Sequence, residues 1–259
     1  IIIIFISLLY FTIPAYYNYE NFNDEIQKKV SKDFKLNLKN IKGISYKFLP
    51  SPHFLIEECD LYFLNSPDEK LLKLKNLKIN VYSKNLHKKE KIELKNIRLN
   101  KIDLDLQFND IKNFYNHLKK ISKPIYIKKS NFFFRDSKKE IISISKIKSF
   151  EYFLDYQNNE KKLSILGNLF GSNFKFNWEK NFSNPFITQS NIKFKNTNLN
   201  ISNKFNNENE NFTTAQTYVK FLRNSMDLNY KFNKDNIELI YDKNRKIYHS
   251  RLIGNIKLD

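Results

Sequence analysis

The sequence predicts a mainly β protein that opens with an apolar transmembrane helix and carries one or two short helices besides. Three observations lead there. Residues Ile1 to Tyr17 contain no charge. Beyond Lys35, apolar residues recur with a period of two rather than 3.6, the spacing of strands with one buried face. The 259 residues include 24 Phe and 15 Tyr but 4 Gly and 6 Pro, and aromatic side chains suit a pleated, half-buried surface.

The apolar start reads IIIIFISLLYFTIPAYY. At ~1.5 Å per residue it reaches roughly 26 Å, a little short of a ~30 Å hydrocarbon core. The sequence does not open with Met, so this helix is expected to start upstream of Ile1. Tyr10, Tyr16 and Tyr17 suit the membrane interface. Glu20, Asp24 and Glu25 precede the first lysine, Lys28, which points the C-terminal side away from the cytoplasm. A cleaved signal peptide is the competing reading, but no small-x-small site follows the run. The organisation expected is an anchor over residues 1–17, a short connecting helix over 18–33 and a β domain over 34–259. The chain ends at Leu258-Asp259 inside a strand-like run, so that domain is expected to continue further.

In the connecting helix Phe22, Ile26 and Val30 fall every four residues, on one side. Alternation begins with Leu36 and Leu38 and continues through Ile44, Tyr46 and Phe48, then Phe54 and Ile56, Leu77 to Val81, and Ile102 to Phe108. Asp110 is placed to cap a helix with Ile111, Phe114, Tyr115 and Leu118 on one face, stopped at Ser122-Lys123-Pro124. Strands resume from Ile125. Gly167 to Gly171 reads as a hairpin turn, Asn203 to Asn211 as a polar loop, and Thr214 to Arg223 as a second short helix. An apolar-Lys-Asn-apolar unit recurs at Leu38, Leu74 and Leu94, and again at Phe194 with Thr197 replacing the second apolar residue. Two polar residues between apolar ones move the alternation by one step, as a bulge does.

Little in the sequence points to catalysis, and the protein is expected not to be an enzyme and to need no cofactor or metal. His53, His87, His117 and His249 show no metal-ligand spacing with one another or with Cys59; they read as solvated strand or loop residues. Glu57, Glu58 and Asp60 beside Cys59 would raise the thiol pKa, not activate it. Asp103 and Asp105 share the wet face of a strand. The formal charge of +18 is spread along the chain, and it reads first as the base composition of an AT-rich genome. Stacking on nucleic acid needs aromatic and basic residues on one face. Alternation instead sets Phe174 and Phe176 opposite Lys175, so nucleic acid is not expected as a partner.

From Leu36 to Ile56 the chain runs LNLKNIKGISYKFLPSPHFLI, with Glu57, Glu58 and Asp60 beyond. A Gly between alternating strands, then Pro-x-Pro, then an apolar-x-apolar strand leading to an acidic residue resembles the N-terminal part of the AsmA family, over roughly the first 110 residues. The Thr-Gly pair common before the family's first strand is replaced here by Lys32-Asp33-Phe34. The resemblance implies a single-pass inner-membrane protein with its bulk in the periplasm, a curled antiparallel sheet forming a repeating, taco-like β-groove, and a part in outer-membrane biogenesis. Conduction of phospholipid between the membranes follows from it, with acyl chains, the inner membrane and other envelope proteins as partners. On that reading Ile79, Val81, Leu99, Leu104, Leu106, Phe174 and Phe176 line the groove. The alternative is an envelope scaffold that binds proteins and carries no lipid.

Overall fold

The computed structural model describes residues 2–17, 23–64, 66–107, 114, 116–183, 186–207, 213–232 and 237–240. They form one large, mainly antiparallel sheet with a few short helices. Helix α1 is Ile2–Thr12 and α2 is Asn23–Phe34; residues 116–120 are also helical. The strands are β1 Leu36–Lys47, β2 His53–Phe63, β3 Ser66–Val81, β4 Leu94–Asn100, β5 Asp103–Gln107, β6 Ile125–Arg135, β7 Ile141–Asp155, β8 Glu160–Leu169, β9 Ser172–Asn181, β10 Phe186–Phe194, β11 Leu199–Asn207, β12 Thr213–Phe221, β13 Asn224–Phe232 and β14 Ile237–Ile240. Their hydrogen-bonded order follows the chain, except that β4 and β5 both lie against β6. The sheet is not strongly curled, which corrects the expected taco-like trough.

The apolar start is not one spanning helix. Thr12 ends α1, and a 3₁₀ turn over Ile13–Tyr16 takes its place. Pro14 explains the break, because it has no N–H to give and its ring collides with the carbonyl one turn back. Eleven residues rise about 16 Å, roughly half a hydrocarbon core. Among the described residues no helix is long and apolar enough to cross a membrane.

The chain divides into two compact units, Ile1–Phe153 with Gly167–Phe170, and Leu154–Leu166 with Gly171–Asp259. In the first, α2 lies on β1 and β4 and turns Ile26, Val30 and Phe34 inward until none is exposed to solvent. Each such side chain contributes about 1.5–3 kcal/mol. The 116–120 helix covers another stretch of the same sheet. The Tyr152 hydroxyl donates to the Leu118 carbonyl, and both the N–H and the hydroxyl of Ser122 donate to the Asp33 carbonyl, at 3.1 and 3.0 Å. Beneath it Phe63, Phe114, Phe132 and Phe150 form a chain of ring contacts. The Asp110 cap falls outside the described residues.

The recurring Lys-Asn unit marks bulges, as its spacing predicts. In β1, Asn40 takes φ +52° and the register with β2 slips between Lys39 and Lys42. In β3, Asn76 takes φ +56°. The buried set of β2 steps from Ile56 to Cys59 at the same level, so three neighbouring strands change phase together. A second seam runs through Lys101 and Lys129, with φ of +55° and +52°, where β4–β5 and β6 run parallel and kink side by side. The fourth copy is a hairpin instead: Lys195 to Asn198 turn β10 into β11. Asn substitutes for scarce Gly at these left-handed positions because its short amide tolerates them.

Gly43 is one place where Gly itself is required. Its φ is +59°, and a Cβ there would stand 2.4 Å from the Glu57 carboxylate. Gly43→Ala is expected to lower unfolding stability by about 1 kcal/mol. Since Glu57 is exposed and free to swing, adding Glu57→Ala should return only the steric share. Urea melts of the single and double variants measure both.

Two further expectations are corrected. Thr213–Phe221 is strand β12, not a helix. Its Ala215, Thr217 and Val219 share one face, and it pairs with strands on both sides, so ladder bonding outweighs any helical preference. Asn203 to Asn207 belong to β11 and not to a loop; residues 208–211 lie outside the described ones. The Gly167–Gly171 turn is present, tightened to Phe170 and Gly171 with both φ positive (+50° and +75°), the arrangement that matches strand twist.

Candidate functional site

The seven predicted groove residues separate into two groups. Ile79, Val81, Leu99, Leu104 and Leu106 are at most 7% exposed, packed inside the first unit. Phe174 and Phe176 lie half-buried on β9 in the second. The five and the two therefore meet different surroundings, although the sequence pattern around them is the same.

Among the described residues the second unit is built from the end of β7, most of β8 and β9 to β14. In-register pairing sets its apolar side chains in rows across the strands. Phe174 faces Phe194, Phe194 faces Leu199, and Leu199 faces Phe221. One step along, Phe176, Ile192, Ile201, Val219 and Met226 form a second row. The rings of Phe174 and Phe194 lie 6.0 Å apart. The third row runs Trp178, Ser190, Asn203, Thr217 and Leu228, polar and bonded sideways at its middle. The Asn203 amide donates to Ser190 at 3.3 Å, Thr217 donates to the Asn203 carbonyl oxygen at 2.7 Å, and Tyr230 lies 3.2 Å from Thr217. The two apolar rows thus form a lane limited by hydroxyls and amides. Four strand spacings of ~4.8 Å give it about 19 Å of length between β9 and β13. Its residues are mostly half-buried, and Phe221 and Met226 are about half exposed (47% and 51%).

The reverse face is wet. Asn177, Asn191, Ser202, Tyr218 and Asp227 stand opposite one another in a single row. Asn191 donates to Asn200 at 2.7 Å and Ser202 at 2.6 Å. Ser164 donates to Asn177 at 3.1 Å, which turns Leu163 and Ile165 of β8 toward the lane side. At the β7–β8 turn Lys162 bridges Asp155 and Glu160, at 2.9 Å each. Its hydrogen bonds hold the Asp155 carboxyl down at about 2 and lower Glu160 as well.

The titratable side chains of the first unit are structural. Cys59 is buried, and burial, helped by Asp60, pushes its thiol up to about 12. Asp103 and Asp105 are exposed as expected, bonded by Asn131 at 2.8 Å and Arg135 at 2.6 Å. Two of the histidines correct the sequence reading, while His87 is exposed as expected. His53 is buried against the Ser51 carbonyl at 2.6 Å. His117 is buried against the ring of Phe63, 4.6 Å away. Burial, then the charge of Lys120, hold His117 down at about 4, against the raising effect of a backbone hydrogen bond to Phe34. Alternation gave no sign of either, because His sits in a strand or helix without disturbing its period. His249 lies outside the described residues. Among those described, no group of three or more His, Cys, Asp or Glu is placed to hold a metal ion.

The outward side of α1 is apolar. Ile2, Ile3, Phe5, Ile6 and Leu9 are between 53% and 80% exposed. An uncharged helix that shows this much apolar surface is at rest only against something equally apolar.

No curated protein matches the sequence. Residues 1–125, which take in α1, α2 and the sheet from β1 to β5, match the AsmA family, the family that Leu36 to Asp60 resembles.

Proposed function

We propose that this is an envelope protein held in the inner membrane by its apolar N-terminus, with its bulk in the periplasm. In this reading it serves outer-membrane biogenesis by conducting phospholipid, and it is not an enzyme. The observation that carries the proposal is the lane of the second unit. It is apolar, two rows wide, half-buried, and has no helix over it among the described residues. An acyl chain gains ~0.8 kcal/mol for each CH₂ it buries, so a lane of this kind competes with a bilayer for a tail. The polar row of Ser190, Asn203 and Thr217 limits the lane on one side, and a tail would lie across the strands along it.

The five buried residues Ile79, Val81, Leu99, Leu104 and Leu106 have no part in this version of the lane, since they are already buried within the first unit. The proposed contacts are Phe174, Phe176, Ile192, Ile201 and Val219. A photo-crosslinking side chain at Phe176 or Ile192 should capture phospholipid in cells, while the same group at Lys175, on the wet face, should not. Equal capture from both faces, or none from the lane, defeats the proposal. Native mass spectrometry of the purified chain adds the other arm. A bound envelope protein in place of phospholipid would favour the scaffold reading. Nucleic acid has no place in either.

A further inference from the structure

The fold holds a lysine-rich segment at the end of α1. The segment from Tyr82 to Glu93 is closed at its base, where the Tyr82 N–H donates to the Glu93 carbonyl at 3.0 Å. Two tyrosines from the apolar start hold its tip: Tyr10 accepts from the Leu86 N–H at 3.1 Å, and Tyr17 donates to the Leu86 carbonyl. Leu86 itself is fully buried. The Lys29 ammonium donates to the Glu90 carbonyl at 2.7 Å and fastens a third point to α2. The segment carries Lys84, Lys88, Lys89 and Lys91 against Glu90 and Glu93. Lys84, Lys88 and Lys91 are exposed. Lys84 and Lys88 each lie two residues from Leu86, so within about 7 Å of it along the backbone. At the base of the loop Lys95 and Lys123 approach the Tyr82 ring at 5.9 and 5.3 Å.

The exposed apolar side chains begin where this basic loop ends. From Tyr10 back to Ile2 the helix rises about 12 Å, a little less than one leaflet's share of a ~30 Å core. With that much of α1 in lipid, the loop is at the level of the headgroups. Tyr82 supplies the aromatic suited to that depth, and the lysines supply charge opposite to phosphate.

We infer that the Tyr82–Glu93 loop is a basic collar that docks on an anionic phospholipid surface. This rests on the proposed membrane attachment through α1 and adds to it a preference among lipids. A lysine close to an anionic bilayer strengthens binding by about fivefold, so the three exposed loop lysines together should be worth at least about tenfold even when partly screened.

The test is flotation of the full chain with vesicles of phosphatidylcholine alone or with phosphatidylglycerol added. Phosphatidylglycerol should strengthen binding at least about tenfold at low salt. Lys84→Gln, Lys88→Gln and Lys91→Gln together should remove that gain and leave binding to the neutral vesicles unchanged. A charge-matched control, Lys175→Gln, Lys193→Gln and Lys220→Gln on the second unit, should keep it. A gain that survives the loop substitutions, or disappears equally with the control, overturns the collar. Equal binding to both vesicle types overturns it too, while the attachment through α1 stands. Binding to the anionic vesicles alone, lost with the loop lysines, would keep the collar and reject attachment through α1. No binding to either rejects both.

Discussion

Ile79→Asp is expected to unfold the first unit or cost it more than about 4 kcal/mol, whereas Phe176→Asp should leave the protein folded and remove lipid capture. Ile79 has no exposed surface and sits in β3 between Phe54 of β2 and Ile97 of β4. A carboxylate there would be shut off from solvent, and a buried charge is among the few single changes with so large an effect. Leu104, at 1% exposure, should behave likewise. Phe176 is only half-buried, so a carboxylate placed there keeps much of its hydration. Urea melts followed by circular dichroism, beside crosslinking at Ile192, separate the two effects. If Ile79→Asp melts like the unaltered protein, the closed core described for the first unit is wrong. If Phe176→Asp keeps full capture, the lane does not hold the tail.

Acid should weaken the first unit through His117 well before its carboxylates titrate. The ring is buried and neutral, its folded pKa is about 4 against an ordinary 6.5, and its Nε2 has no hydrogen-bond partner. The unfolded chain takes up this proton near pH 6.5, while the folded chain resists until about 4. Unfolding therefore gains protons across that window. The contribution is complete above pH 6.5 and is lost as pH falls toward 4, to a total of about 3 kcal/mol. His117→Leu removes the titrating group and keeps an apolar side chain against Phe63. Its stability should fall more slowly than the unaltered protein's between pH 6.5 and 4, and identical slopes would assign the acid sensitivity elsewhere. Asp155 acts in the next window down. Its folded pKa of about 2 means that its share is present above the ordinary carboxylate range and lost as pH falls toward 2.

Much of the secondary structure was legible because each signal is local. Ile26 and Val30 at helical spacing specify which side of α2 is buried. Leu77, Ile79 and Val81 specify the buried face of β3, and Lys-Asn between apolar residues marks the phase steps at Asn40 and Asn76. The errors have local causes as well. Pro14 ended α1 inside a run whose hydropathy alone read as one span. Thr214 to Val219 lacks the charges and turn residues that separate strands elsewhere, so only the ladders on either side identify it as β12. The parallel pairing of β4 and β5 with β6 follows from where the crossover returns, which no alternation records.

Alternation and composition by themselves determined that this chain makes strands with one greasy face, preceded by an apolar helix; the order of Gly43, Pro50-Ser51-Pro52 and the acidic residues after Ile56 added the resemblance of its N-terminal part to the AsmA family. They did not determine what lies against that face. Leu104 and Phe176 stand in indistinguishable patterns, since period two states which side chains share a face and nothing about the neighbouring layer. The tertiary structure decided it: α2 and the 116–120 helix seal the first unit, and the second unit shows its lane. Burial depends on residues distant in sequence, and so do the depressed pKa of His117 and the clasp of Tyr10 and Tyr17 on Leu86.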